Sequence, residues 1–122
     1  MSEQQKRLMQ QWVSDLSGFD CRAVIGPIGA LCGYVSVPQL HPWYGWNYGL
    51  VPLNEITYSL TYSGDMFSES GNVWTFGFDH GHSYHVESID VDRDPPIIFT
   101  QDLEEICRQI VDLDKALFEV QQ

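Results

Sequence analysis

The chain has 122 residues, of which 43% are hydrophobic and 13% aromatic, and it carries a formal net charge of −11. That length and apolar content fit one domain, residues 1–122, able to bury a core without staples, and the aromatic content argues against a disordered chain. No Lys or Arg occurs anywhere from Ala23 to Asp92, a stretch that holds all four histidines and seven carboxylates. Its surface therefore has no fixed positive charge for a phosphate, a nucleic-acid backbone or an anionic lipid, and it favours cations or a basic protein face instead.

Taken in chain order, Ser2 to Leu16 has the spacing of an amphipathic helix, with Leu8, Met9, Trp12, Val13 and Leu16 as its apolar stripe. Ser2 and Gln5 have the form of a capping box, and Ser17-Gly18 ends the element. Cys21–Ile25 and Ala30–Val37 are β-like and joined by Gly26-Pro27-Ile28-Gly29, which predicts a hairpin. From Pro38 to Asn54 the prolines and glycines exclude a long regular element. Glu55–Tyr62 alternates as a strand, Val73–Phe78 puts Trp74, Phe76 and Phe78 on one face, and the Gly- and Ser-rich loop between them predicts a second hairpin. A short strand is expected near His85–Val91. Thr100 then caps a helix to about Val120, with a stripe of Leu103, Ile106, Ile110, Leu113 and Leu117 and a Glu104–Arg108 pair. The expected architecture is α+β: an antiparallel sheet of about four strands flanked by N- and C-terminal helices.

Cys21, Cys32 and Cys107 are odd in number, sit in mostly apolar settings and form no C-x-x-C pair. Buried thiols in a reducing cytoplasm are the economical reading, and a Cys21–Cys32 disulfide is the alternative. The N-terminus lacks an apolar signal core, and no apolar run approaches membrane-spanning length, so a cytoplasmic protein is expected.

The middle of the chain carries Gly33-Tyr34-Val35-Ser36-Val37-Pro38, His41-Pro42-Trp43-Tyr44-Gly45, Leu60-Thr61-Tyr62-Ser63-Gly64 and Trp74-Thr75-Phe76-Gly77-Phe78-Asp79 with His82. These segments resemble an uncharacterised family of small phage and bacterial proteins whose pattern reads G-Y-V-x-V-P, H-P-x-Y-G, H-G-G-L-T-Y-S and W-x-x-G-F-D-C-x-H. The resemblance covers roughly residues 32 to 82. Two departures stand out: Thr57-Tyr58-Ser59 replaces the H-G-G, and His80 replaces the cysteine. The resemblance implies a phage setting and supplies no reaction.

Two clusters carry chemistry. Asp79, His80 and His82, with His85 and with His41 brought near, offer imidazole and carboxylate donors suited to zinc. With an open coordination position such a site activates water, which makes a metal-dependent hydrolase one candidate function. The bland alternative is a polar loop whose histidines bind backbone. His41 to Gly49 places four aromatics within six positions, either packed on one another or forming a platform. Trp43 is assigned to packing, and Trp46 and Tyr48 to binding. Asp90-Val91-Asp92-Arg93-Asp94 opens like a calcium loop, but Pro95 and Gln101 stand where its glycine and glutamate belong. No nucleophile elbow or phosphate-cradling glycine loop is present, which excludes kinase, NTPase and dinucleotide chemistry.

The leading expectation is a non-enzymatic, anti-CRISPR-like protein that binds and inhibits a host nucleic-acid-handling defence protein. Asp65, Glu69, Glu87, Asp90 and Asp92 would mimic phosphates on the partner's basic surface, with Trp46 and Tyr48 as anchors and no direct contact to nucleic acid or membrane. The alternatives are the zinc hydrolase and a small-ligand binder that holds a nucleotide in the aromatic loop. The lack of nearby Lys or Arg counts against the last.

Overall fold

Five antiparallel strands and one long helix carry the core. The computed structural model describes residues 7–25, 31–52, 60–79, 89–90, 97–98 and 100–120, and at Arg7, Asp79, 89–90, 97–98 and 100–103 it describes the backbone alone. The strands are β1 (Arg7–Val13), β2 (Asp20–Ile25), β3 (Leu31–Pro38), β4 (Tyr62–Gly64) and β5 (Val73–Asp79), in the spatial order β1-β2-β3-β5-β4. A separate two-stranded ladder pairs β6 (Ile89–Asp90) with β7 (Ile97–Ile98), and α1 runs from Thr100 to Val120.

The helix lies across β3 and β2. Its Ile106, Ile110, Leu113 and Leu117, four residues repeating at three and four, are fully buried against Cys21, Ala23, Ile25, Leu31, Val35, Val37, Phe76 and Phe78. These sheet residues alternate along their strands, so one face meets the helix. Gly33 lies in the middle of that face, where a side chain would collide: a Cβ there would stand 2.6 Å from Ile110 Cγ1 and 2.8 Å from Phe78 Cζ. Its absence lets α1 settle onto β3.

Among the described residues, aromatic rings cover the opposite face. Tyr34 pairs across Gly77 in β5, which in turn pairs with Tyr62 in β4. A Cβ at Gly77 would sit 2.3 Å from the Tyr34 ring, so glycine is what allows that ring to lie flat over β5. Tyr34 then meets Tyr62 and Phe67 edge-on, with centroids 6.0 and 5.3 Å apart. Arg22 stacks 4.1 Å above Phe67 while its Nε donates to Asp20 at 2.7 Å. Beneath them, the buried hydroxyls of Ser36 and Thr75 satisfy each other at 2.7 Å.

The expected C-terminal helix, the β2–β3 hairpin pairing and the Val73–Phe78 strand are observed. The N-terminal helix is not: residues 7–13 form β1, paired with β2, while residues 2–6 lie outside the described residues. The register shifts between Leu8 and Gln10, placing a bulge at Met9. The extra residue turns Met9 and Trp12, three apart, onto the core together, while Leu8, Val13 and Leu16 are exposed. A bulged strand thus reproduces a helical apolar spacing. The predicted Glu55–Tyr62 strand is seen only from Tyr62, in β4, with residues 53–59 outside the described residues. Arg108 pairs with Glu105 and not with Glu104. The register puts Cys21 and Cys32 on opposite faces of the sheet, so no disulfide joins them.

Candidate functional site

Past Pro38 the chain tightens into a series of turns. The backbone N–H of His41 donates to the Pro38 carbonyl, that of Tyr44 to His41 and that of Trp46 to Trp43, each at 3.0 Å. Gly45 takes φ +82°, a left-handed conformation that costs a side-chain-bearing residue and lets the turn reverse here. Asn47 Oδ1 then accepts the Gly49 N–H at 2.8 Å and caps a single 3₁₀ turn, Tyr48–Leu50.

Among the described residues, five hydrogen bonds that involve side chains hold this loop to the rest of the protein. His41 Nδ1 accepts the Trp43 N–H at 3.0 Å, so the other ring nitrogen carries the proton, and Nε2 donates to the Leu117 carbonyl at 2.7 Å. Gln39 Nε2 and the Tyr44 hydroxyl both donate to the Gly71 carbonyl. Trp74 Nε1 donates to the Trp46 carbonyl at 2.9 Å, and the Tyr48 N–H donates to Ser63 Oγ at 2.9 Å. Trp43 is buried, and its ring links His41 on one side to Trp46 on the other, both at centroid distances of 5.9 Å.

Four large apolar side chains remain outside. Leu40 is 95% exposed, Leu50 70%, Trp46 41% and Tyr48 39%. Exposed large side chains on a loop fixed at both ends mark a surface ordered before anything binds it, since the entropy of arranging it is met on folding. The adjoining turn is acidic: Asp65 and Glu69 are exposed, and Ser70 and Gly71 take successive left-handed conformations that present the Gly71 carbonyl to Tyr44 and Gln39. The aromatic loop and the acidic turn form one connected unit.

Of the residues expected on this surface, Trp46, Tyr48, Asp65 and Glu69 are exposed, and Trp43, expected in the packing, is buried. Leu40 and Leu50 were missed. Their signal is leucine set among Pro, Gly and His-Pro turn residues, where no regular element could carry it to the core. Asp90 pairs in β6 by its backbone, and Glu87 and Asp92 lie outside the described residues, so they are not placed relative to the loop.

The predicted zinc set loses one member. Both ring nitrogens of His41 are engaged with backbone, and the imidazole is only 3% exposed, which leaves no lone pair for a cation. Burial also pushes its pKa below the usual histidine value, an effect partly offset by the bond to the Leu117 carbonyl. Asp79 ends β5, while His80, His82 and His85 lie outside the described residues. Among the described residues no group of three His, Cys, Asp or Glu is placed to hold a metal ion. Nor do the thiols point to nucleophilic chemistry. Burial, with Asp114 and Asp20 nearby, pushes the Cys21 thiol up to about 12, and burial raises Cys107 as well.

Among the described residues no helix is long and apolar enough to cross a membrane. No family model, no curated protein and no solved structure matches the chain.

Proposed function

We propose that this protein is a non-enzymatic binding protein that docks its aromatic loop and acidic turn on a basic face of a protein partner. In the phage setting that the sequence resemblance implies, the partner is a host nucleic-acid-handling defence protein, and occupation of its basic groove inhibits it. The observation that carries this reading is the braced loop 39–50, which keeps His41 and Trp43 inside and holds Leu40, Trp46, Tyr48 and Leu50 exposed. The turn tied to it through Gly71 exposes Asp65 and Glu69, with Arg22 stacked on Phe67 between them. Exposed aromatic anchors give affinity through the rings, and a net negative charge gives rate and selectivity through the field.

The test is capture from bacterial lysate at low and high salt, with the bound protein identified by mass spectrometry. A stoichiometric partner with a basic groove is expected, weakened at high salt and lost with the Trp46→Ala/Tyr48→Ala double variant. Absence of a partner at both salt concentrations defeats the proposal. A partner held equally at both removes the acidic contribution and leaves an apolar interface.

A further inference from the structure

We infer that His41 is an acid-operated latch: neutral, it clasps the aromatic loop to the end of α1, and protonated at Nδ1 it keeps the helix and lets Trp43 go. The latch goes beyond the docking reading, because it acts on the loop whatever the loop binds. One ring serves two elements. Nδ1 accepts the buried Trp43 N–H at 3.0 Å, and Nε2 donates to the Leu117 carbonyl at 2.7 Å. Only the neutral imidazole with its proton on Nε2 satisfies both partners. Among the described residues this is the loop's one hydrogen bond to α1; its other side-chain ties run to Gly71, Ser63 and Trp74.

A second proton turns Nδ1 from acceptor into donor, and two N–H groups then face each other. The Leu117 bond survives and gains, since Leu117 lies in the last turn of α1, where the helix dipole favours a cation. Protonation therefore acts on one partner only. Trp43 loses its acceptor, and the Trp46 ring, 5.9 Å away, loses the seat it leans on, while the bonds to Ser63, Trp74 and Gly71 stay. The ionisable groups on the elements around the ring are otherwise engaged or in water. On α1, buried Asp114 is bonded to Ser14 and Ser17, and Lys115 and Glu119 are exposed. On the β1–β2 side, whose Phe19 packs on the imidazole, Asp15 is exposed, Asp20 is bonded to Gln11 and Arg22, and the Cys21 thiol, pushed up to about 12, stays neutral. Within the loop the Tyr44 hydroxyl donates to Gly71, and Tyr48 is exposed. Burial holds the imidazole below the ordinary histidine value of about 6.5, so the latch is shut at neutral pH and opens as pH falls through the folded value.

The experiment is an NMR titration of the isotope-labelled protein from about pH 7.5 to about pH 4.5. The His41 ring should titrate below about pH 6.5, and the Trp43 amide and Trp46 indole signals should move with the same midpoint. Backbone order parameters over residues 42–46 should fall from about 0.85 to below about 0.6, while the amides of Val35, Phe76 and Ile110 keep their native positions. His41→Gln, which cannot titrate, should lack the step, and Asp114→Asn, which removes the buried carboxylate of α1, should keep it. A ring that titrates while Trp43 stays in place overturns the latch, as does a ring that stays neutral to the end of the titration. So does loss of the core signals at the loop's midpoint, or the same step in His41→Gln. Ring and loop are read in one wild-type sample, so the comparison stands without the glutamine variant should that variant not fold. The titration uses the free protein, and its result is independent of whether a lysate partner is captured.

Discussion

Replacing His41 by alanine tests whether the aromatic loop is held by the helix or merely lies beside it. The ring joins the two elements through a bond accepted from Trp43 and a bond donated to Leu117, and it packs edge-on against Phe19 at 5.8 Å and against Trp43. Truncation leaves the N–H of buried Trp43 without an acceptor and the Leu117 carbonyl without its donor. Each orphaned buried group costs about 1–3 kcal/mol, and the lost ring contacts add to that, so a total of about 3 kcal/mol is expected. With a urea slope of about 1.5 kcal/mol per M, the unfolding midpoint should fall by about 2 M. Protonation attacks the same joint. A proton on Nδ1 would face the Trp43 N–H donor-to-donor, and burial already holds the folded pKa below the unfolded value. A folded pKa depressed in this way means that stability is full above the unfolded value, about 6.5, and is lost as pH falls through the folded one. Urea melts at about pH 7.5 and about pH 5 should therefore show wild type losing more stability than His41→Gln, which cannot titrate and serves to subtract every other ionising group. Equal losses in the two proteins, or an alanine variant within about 1 kcal/mol of wild type, would refute the joint.

Two further perturbations probe how the helix is seated. Gly33→Ala should destabilise by about 1–3 kcal/mol in a urea melt, because its Cβ meets Ile110 and Phe78 inside contact distance and α1 must lift to admit it. Asp114, only 3% exposed, accepts hydrogen bonds from Ser14 at 2.7 Å and from Ser17 in the β1–β2 turn. Asp114→Ala should cost about 2–3 kcal/mol and speed amide exchange at Leu16 and Ser17, whose N–H groups bond to Ser14 Oγ. Asp114→Asn, which keeps an acceptor, should cost less.

The strands and helix that bury one face were legible because their periods are clean. Phe76 and Phe78 alternate in β5, and Ile106, Ile110, Leu113 and Leu117 repeat at helical spacing in α1. The N-terminal element misled for a definite reason. An edge strand that pairs only with β2 has weak alternation, and the bulge at Met9 changes its phase midway, so Leu8, Met9, Trp12 and Val13 imitate a helical stripe. No local signal separates the two patterns; the pairing of Trp12 with Cys21 across the sheet decides between them, and that is a long-range fact. The Asp114 clasp was hidden for the same reason, since a carboxylate in an amphipathic helix gives no sign that two serines a hundred residues earlier will meet it.

The segments that prompted the family resemblance turn out to be the bracing of the loop. Gly33 admits the helix, Gly77 admits the Tyr34 ring, His41 ties the loop to Leu117, and Tyr44 ties it to Gly71. Trp74 holds the Trp46 carbonyl, and Ser63 holds the Tyr48 N–H. Each of these residues is engaged by its geometry. The binding role proposed above falls to side chains these bonds leave exposed, Leu40, Trp46, Tyr48 and Leu50, together with the exposed Asp65 and Glu69. The division also predicts how the two sets will respond to change. Alteration of a bracing residue lowers stability and binding together, because it loosens the platform. Alteration of an exposed residue lowers binding at constant stability, and that second signature separates a docking surface from a well-packed loop.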